Sequence, residues 1–158
     1  MKSYRRTLSE QEKRQLKQDL PWFGQRRKER LREIEQAVIE VQEFDIDRVW
    51  DINGCRPPCC PYTLLFRTAD DLFVYVETWH EIEHQKSERT ESTLTIESTP
   101  ATRKILNAEV AGEETIRHTA SLREFNELFE IIGEAEWKIY KRDELPEQVI
   151  EVLEGEAV

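Results

Sequence analysis

Tyr62-Thr63-Leu64-Leu65-Phe66-Arg67-Thr68-Ala69-Asp70-Asp71-Leu72-Phe73-Val74-Tyr75-Val76-Glu77-Thr78-Trp79 reads as two extended runs around a turn. Both runs are rich in β-branched and aromatic residues, which suit a pleated surface. Ala69-Asp70-Asp71 between them is a hairpin connection. Each run is apolar on both faces: Leu64, Leu65 and Phe66 in the first, Phe73, Val74, Tyr75 and Val76 in the second. A strand of that kind belongs at the centre of a sheet covered on one or both sides. The runs 62–68 and 72–79 are of similar length, so their outer ends are expected to lie close together.

Upstream, Phe44, Ile46, Trp50 and Ile52 alternate with Asp45, Asp47, Val49 and Asp51. Period two predicts a half-buried strand with one apolar and one acidic face. Asn53-Gly54 ends it. Downstream, Ser92–Ser98 and Arg103–Val110 form a second hairpin around Thr99-Pro100, and a short strand is expected near Thr115–His118. Ser121-Leu122-Arg123-Glu124 is a capping box opening an amphipathic helix that Gly133 ends. Trp137–Lys141 reads as an edge strand, and Pro146 suits the first residue of a final short helix. The predicted architecture is α+β: a mainly antiparallel twisted sheet of about five to seven strands in hairpin order, with N-terminal helices and a C-terminal helix packed on it.

At 158 residues, with four Trp, six Phe and four Tyr, the chain is long enough for one domain with a real core. Its net charge of −10 is unevenly spread. Residues 1–32 carry eleven Lys/Arg against four Asp/Glu, a balance of +7; residues 33–158 carry twelve against twenty-nine, a balance of −17. The acidic body repels nucleic acid and anionic membrane, so only the basic segment attracts them. The organisation expected is a basic helical arm over 1–24 and a single α+β domain over 25–158. No apolar run approaches the ~20 residues of a membrane helix, and Arg5-Arg6 has no apolar stretch behind it to make a secretory signal. A cytoplasmic protein with reduced thiols is expected, and an odd cysteine count fits poorly with a disulfide framework.

Within the arm, Ser9-Glu10-Gln11-Glu12 matches a capping box and opens a helix to about Leu20. Pro21-Trp22-Phe23-Gly24 breaks it. A second helix is expected from about Gln25 to Glu43, with Leu31, Ile34, Val38 and Val41 forming a narrow apolar seam. Such a seam packs on the protein's own sheet or takes a partner helix.

Three groups of residues could carry chemistry. Gly54-Cys55-Arg56-Pro57-Pro58-Cys59-Cys60-Pro61 holds all three cysteines on a proline-stiffened loop. Cys55, Cys59 and Cys60 with His80 or His84 would supply the four ligands zinc wants. The adjacency of Cys59 and Cys60 argues against both reaching one metal, and thiols on a rigid loop also serve as small hydrophobes. Second, His80-Glu81-Ile82-Glu83-His84 formally satisfies the H-E-x-x-H string of zinc metalloproteases. That chemistry needs a buried helix with apolar surroundings and a third ligand, and Glu83 and the polar residues after it do not provide them. Third, Arg26, Arg27 and Arg30 lie in a basic run beside Trp22 and Phe23, where nucleic acid could bind. The run could equally dock on an acidic surface of this protein or of another subunit.

The chain has no Gly-rich phosphate loop, dinucleotide fingerprint or Gly-x-Ser-x-Gly elbow. The reading that follows is a non-enzymatic protein–protein interaction module. It would take a protein partner, or a second copy of itself, through Trp22 and the seam of Leu31 and Val38. A zinc protein built on the cysteine loop and a nucleic-acid binder using segment 1–32 are the alternatives.

Overall fold

In a computed structural model of the chain, residues 1–18, 24–36, 38–52, 57, 59–79, 82–85, 92–112, 117–120 and 135–155 are described. The elements run β1 (Lys2–Thr7), α1 (Glu10–Gln18), α2 (Gln25–Glu35), β2 (Val38–Ile52), β3 (Tyr62–Thr68), β4 (Leu72–Thr78) and β5 (Glu83–Gln85). They continue with β6 (Ser92–Ser98), β7 (Ile105–Ala111), β8 (Arg117–Ala120), β9 (Trp137–Lys141) and α3 (Glu147–Gly155). The predicted helix of 121–133 lies outside the described residues.

The spine is β2, a single strand of 15 residues. Seven strands follow one another in the order β5-β7-β6-β2-β3-β4-β9, and β1 and β8 also pair with β2. The two halves of β2 have different neighbours. Residues 38–43 pair with β1 and residues 40–46 with β6. Residues 46–51 pair with β3 and residues 49–52 with β8. All pairings are antiparallel except β8 on β2 and β5 on β7. The α+β class and the mainly antiparallel sheet read from the sequence are those of the structure.

An irregularity between Ile46 and Arg48 resets the alternation of β2. Before it, Phe44 and Ile46 face the main core; after it, Val49 does, while Trp50 and Ile52 turn to the other side. The acidic face read from the sequence therefore holds only for Asp45 and Asp47, which are exposed; Asp51 and Val49 are buried.

The sheet must curl. Thr78 of β4 and Glu83 of β5 are joined by a link that reaches at most about 18 Å. A flat sheet in the observed order would set those strands about 24 Å apart. Accordingly one core cluster draws Ile105, Ala108 and Val110 from β7 together with Val74 and Val76 of β4 and Trp137 of β9. Its concave face is lined by Phe44, Leu64, Phe66, Leu94 and Ile96. The start of β9 is fastened to the β6–β7 turn. The Glu136 amide donates to the Arg103 carbonyl at 3.1 Å, Glu136 Oε1 accepts from the Ile105 amide at 3.0 Å, and Trp137 Nε1 donates to Ser98 Oγ at 3.0 Å.

The convex face is covered in two places. Leu8, Leu16 and Ile34 from α1, α2 and the chain before α1 pack on Ile39 and Val41 of β2. Leu145, Val149 and Leu153, from α3 and the turn before it, pack on Trp50, Leu65, Phe73, Tyr75 and Tyr140.

The N-terminal segment differs from its reading in two ways. The region expected to be a helical arm opens on a strand, β1. The helix expected over 25–43 ends at Glu35, so Val38 and Val41 belong to β2. A spacing of three suits a helix, but Val38, Ile39 and Val41 are β-branched. Strands on both edges of residues 40–43 satisfy their backbone groups, and that pairing overrides the local pattern.

Candidate functional site

The cysteine loop and the basic segment lie on different halves of β2. At the loop, Tyr62 pairs with Thr78, so the outer ends of β3 and β4 meet as expected. Cys59 is an exposed free thiol. Cys60 is disulfide-bonded, contrary to the expectation of reduced thiols throughout. A disulfide sulfur offers no thiolate to a metal. Cys55 and His80 lie outside the described residues. His84 is on β5, which pairs with β7. Glu83-His84-Gln85 is strand, so the helical turn demanded by the metalloprotease string is not formed there. Among the described residues no group of three His, Cys, Asp or Glu side chains is arranged to hold a metal. Trp79, just past β4, is 57% exposed beside this end of the sheet.

The basic segment covers the first half of β2, with β1 paired along its edge and α1 and α2 layered over its face. The expected capping box of α1 is present: the Ser9 amide donates to Glu12 Oε1 at 3.0 Å and the Glu12 amide to Ser9 Oγ at 3.2 Å. Glu12 has a second role. Arg6 of β1 donates to both its oxygens, at 2.9 and 2.5 Å, and reaches Glu97 of β6 at 2.6 Å. The guanidinium pulls the Glu12 carboxyl down from an ordinary 4.5 to about 2. The hydrogen bonds that Arg6 donates to Glu12 and then to Glu97 raise its own pKa in turn.

Glu33 ties the other helix. It is 8% exposed, and Oε1 accepts from the Ala101 and Thr102 amides, each at 2.8 Å. Its Oε2 accepts from Thr102 Oγ1 at 2.6 Å. A buried carboxylate is tolerated there because three donors of the β6–β7 turn replace its water.

These ties use few of the cations. Lys2, Arg5, Arg14, Lys17, Lys28 and Arg32 are exposed and form no ion pair among the described residues. Arg14 and Lys17 project from α1 and Lys28 and Arg32 from α2, away from buried Leu16 and Ile34. The layer is held down by its apolar contacts more than by complementary charge.

Of the residues singled out as a binding seam, Leu31 is half-buried on α2, and Val38 is half-buried at the start of β2, opposite Thr7. Ile34 and Val41 are core. Arg27 and Arg30 are half-buried on α2; Arg26 is on the same helix, and Trp22 lies outside the described residues. The sequence reading missed Arg6 and Glu33. Arg6 stands six residues from Glu12 but 91 from Glu97, and no local pattern signals the second distance.

No protein-family model matches the chain, and no curated protein or solved structure is significantly similar to it. No described helix is long and apolar enough to cross a membrane.

Proposed function

We propose that this protein is a non-enzymatic protein-interaction module whose docking surface is the basic layer of β1, α1 and α2, and that its partner is acidic. The observation that carries the reading is the set of six exposed cations without ion-pair partners, mounted on a body with a balance of −17. Burial of their helices' apolar faces fixes their positions, so docking orders little new structure. A short acidic segment gains from these cations and avoids the acidic body; a long polyanion meets that body's repulsion. Glu10, Glu29 and Glu35 also interrupt the cations along the helices, which suits discrete pairs more than a continuous phosphate track. The apolar seam first expected to take a partner helix is largely spent on the internal core, so the docking surface is assigned to the charged layer.

The test is fluorescence anisotropy with a labelled Glu-rich peptide and a single-stranded oligonucleotide of equal charge. The peptide is expected to bind, with affinity falling as salt rises. Lys28→Glu with Arg32→Glu should weaken it about tenfold. Stronger binding of the oligonucleotide would replace this reading with nucleic-acid recognition. The zinc reading has its own check: alkylation without reductant should label Cys59 and spare Cys60. Labelling of Cys60 together with stoichiometric bound zinc would restore it. A disulfide suits an oxidising compartment better than the cytoplasm first expected, and the binding proposal does not depend on the compartment.

A further inference from the structure

We propose that the outer edge of β1 is a strand-addition site, at which an extended acidic segment of a partner pairs with Lys2–Thr7. This rests on the protein-binding reading and specifies its mode. Along one edge β1 pairs with β2 from Lys2↔Glu43 to Thr7↔Val38; among the described residues its other edge pairs with no strand. Every second residue of an edge strand points its N–H and C=O outward, a template for one more strand. Five of the six β1 residues are exposed.

The edge is held where the chain leaves the strand: Arg6 is forked between Glu12 and Glu97, and Leu8 is buried in the core. A strand fixed this way presents its backbone without further ordering.

Its side chains select the occupant. Lys2 and Arg5 are exposed and unpaired, and Tyr4, 51% exposed, offers an aromatic surface for a cross-strand neighbour. A second copy of β1 would set Lys2, Arg5 and Arg6 against the same cations, and like charges across a strand pair repel. An acidic strand removes that repulsion and gains opposite-charge pairs, so the charges that guard the edge against self-pairing admit the acidic partner.

The experiment uses the full chain and a labelled octapeptide of alternating Glu and Val, in three forms: unmodified, N-methylated at odd residues, and N-methylated at even residues. Main-chain pairing uses the N–H groups of one register only. The unmodified peptide should bind, one methylated form should lose about tenfold or more in affinity, and the other should stay within about twofold. Amide exchange over Lys2–Thr7 should slow on binding. Equal binding of all three forms, with no change in exchange, would overturn strand addition and leave the acidic-partner reading standing. Failure of the unmodified peptide and of other Glu-rich peptides alike would overturn both. Concentration-dependent dimerisation without peptide, with protection of the same amides, would show the edge occupied by a second copy and would also overturn the proposal.

Discussion

The two halves of β2 are one strand under two different covers. Over residues 38–43, α1 and α2 rest on a small aliphatic cluster and are tied down by charge, through Arg6 with Glu12 and Glu97 and through Glu33 with the β6–β7 turn. Over residues 49–52, α3 and its preceding turn close a larger cluster of Trp50, Phe73, Tyr75 and Tyr140, with Trp50 stacked on Phe73 at 6.3 Å. Charge meets that cluster through Arg48 over Trp50 at 5.6 Å and Lys138 over Tyr140 at 4.8 Å, and at the margin exposed Arg142 meets Asp71 and Glu154. One strand thus carries a fixed half and a half whose cover is seated on apolar contacts but adjustable in strength through its ionic ties. Ionic ties respond to pH and salt, whereas apolar burial scarcely does.

The largest expected effect falls on the fixed half. Val149 is fully buried, and Val149→Asp would place an uncompensated carboxylate there, costing about 4 kcal/mol or more. Urea titration should find the variant largely unfolded; a native-like midpoint would show that α3 is dispensable. In the adjustable half, Glu33→Ala leaves two amides and a hydroxyl of the β6–β7 turn without their acceptor. A loss of about 2–3 kcal/mol is expected, with a smaller loss for Glu33→Gln.

Arg6→Ala should cost about 1 kcal/mol, after allowance for the partial exposure of the ion pair. The pH dependence follows from Glu12. Its carboxyl is depressed in the folded state, from 4.5 to about 2, so its contribution is fully present above pH 4.5 and is lost as pH falls toward 2. The wild type should therefore lose more stability than Arg6→Ala between pH 5 and pH 2, as read by thermal melts. Parallel loss in the two proteins would separate Arg6 from this titration.

The smallest effect is expected for Trp50→Phe. The Trp50 indole N–H is buried without an acceptor among the described residues, so its removal offsets part of the lost packing and the cost should stay below about 1 kcal/mol. Trp137→Phe, by contrast, breaks the bond to Ser98 Oγ and weakens a cation–π contact with Arg103 at 4.6 Å, closer than the 5.6 Å of Arg48 over Trp50, and should cost about 2 kcal/mol. Equal midpoints for the two variants in the same urea series would refute the distinction.

What the sequence made legible follows the same division. The central hairpin appears with its predicted turn, β6 spans Ser92–Ser98 and β9 Trp137–Lys141 as read, and Pro146 directly precedes α3. These elements have local signals: alternation, turn residues and a proline whose missing N–H costs nothing there. The strand β1 has none, since Lys2-Ser3-Tyr4-Arg5-Arg6-Thr7 shows no apolar face and is a strand only because β2 lies beside it. Residues 38–43 were legible as apolar but not as extended, because the deciding partners are remote in sequence. At the candidate site, the capping box of Ser9 and Glu12 was readable from four residues. The long-range partner of Arg6 and the burial of Glu33 were not, since the first depends on β1 and β6 both pairing with β2 and the second on how the β6–β7 turn comes to lie against α2.

The long strand also has a timetable. Its second half can zip onto β3 early, since Ile46 meets Thr68 only 22 positions later, beside a hairpin closed by a three-residue turn. Its first half must wait for β6, because Glu40 meets Ser98, 58 positions away. Loop-closure entropy makes such distant pairings late. During synthesis, residues 38–43 remain without β6 until that strand has emerged, and over this interval only β1 is at hand to occupy one of their edges. The six residues of β1, proposed above as a docking edge, would by the same pairing shield one side of β2 from association with other nascent chains.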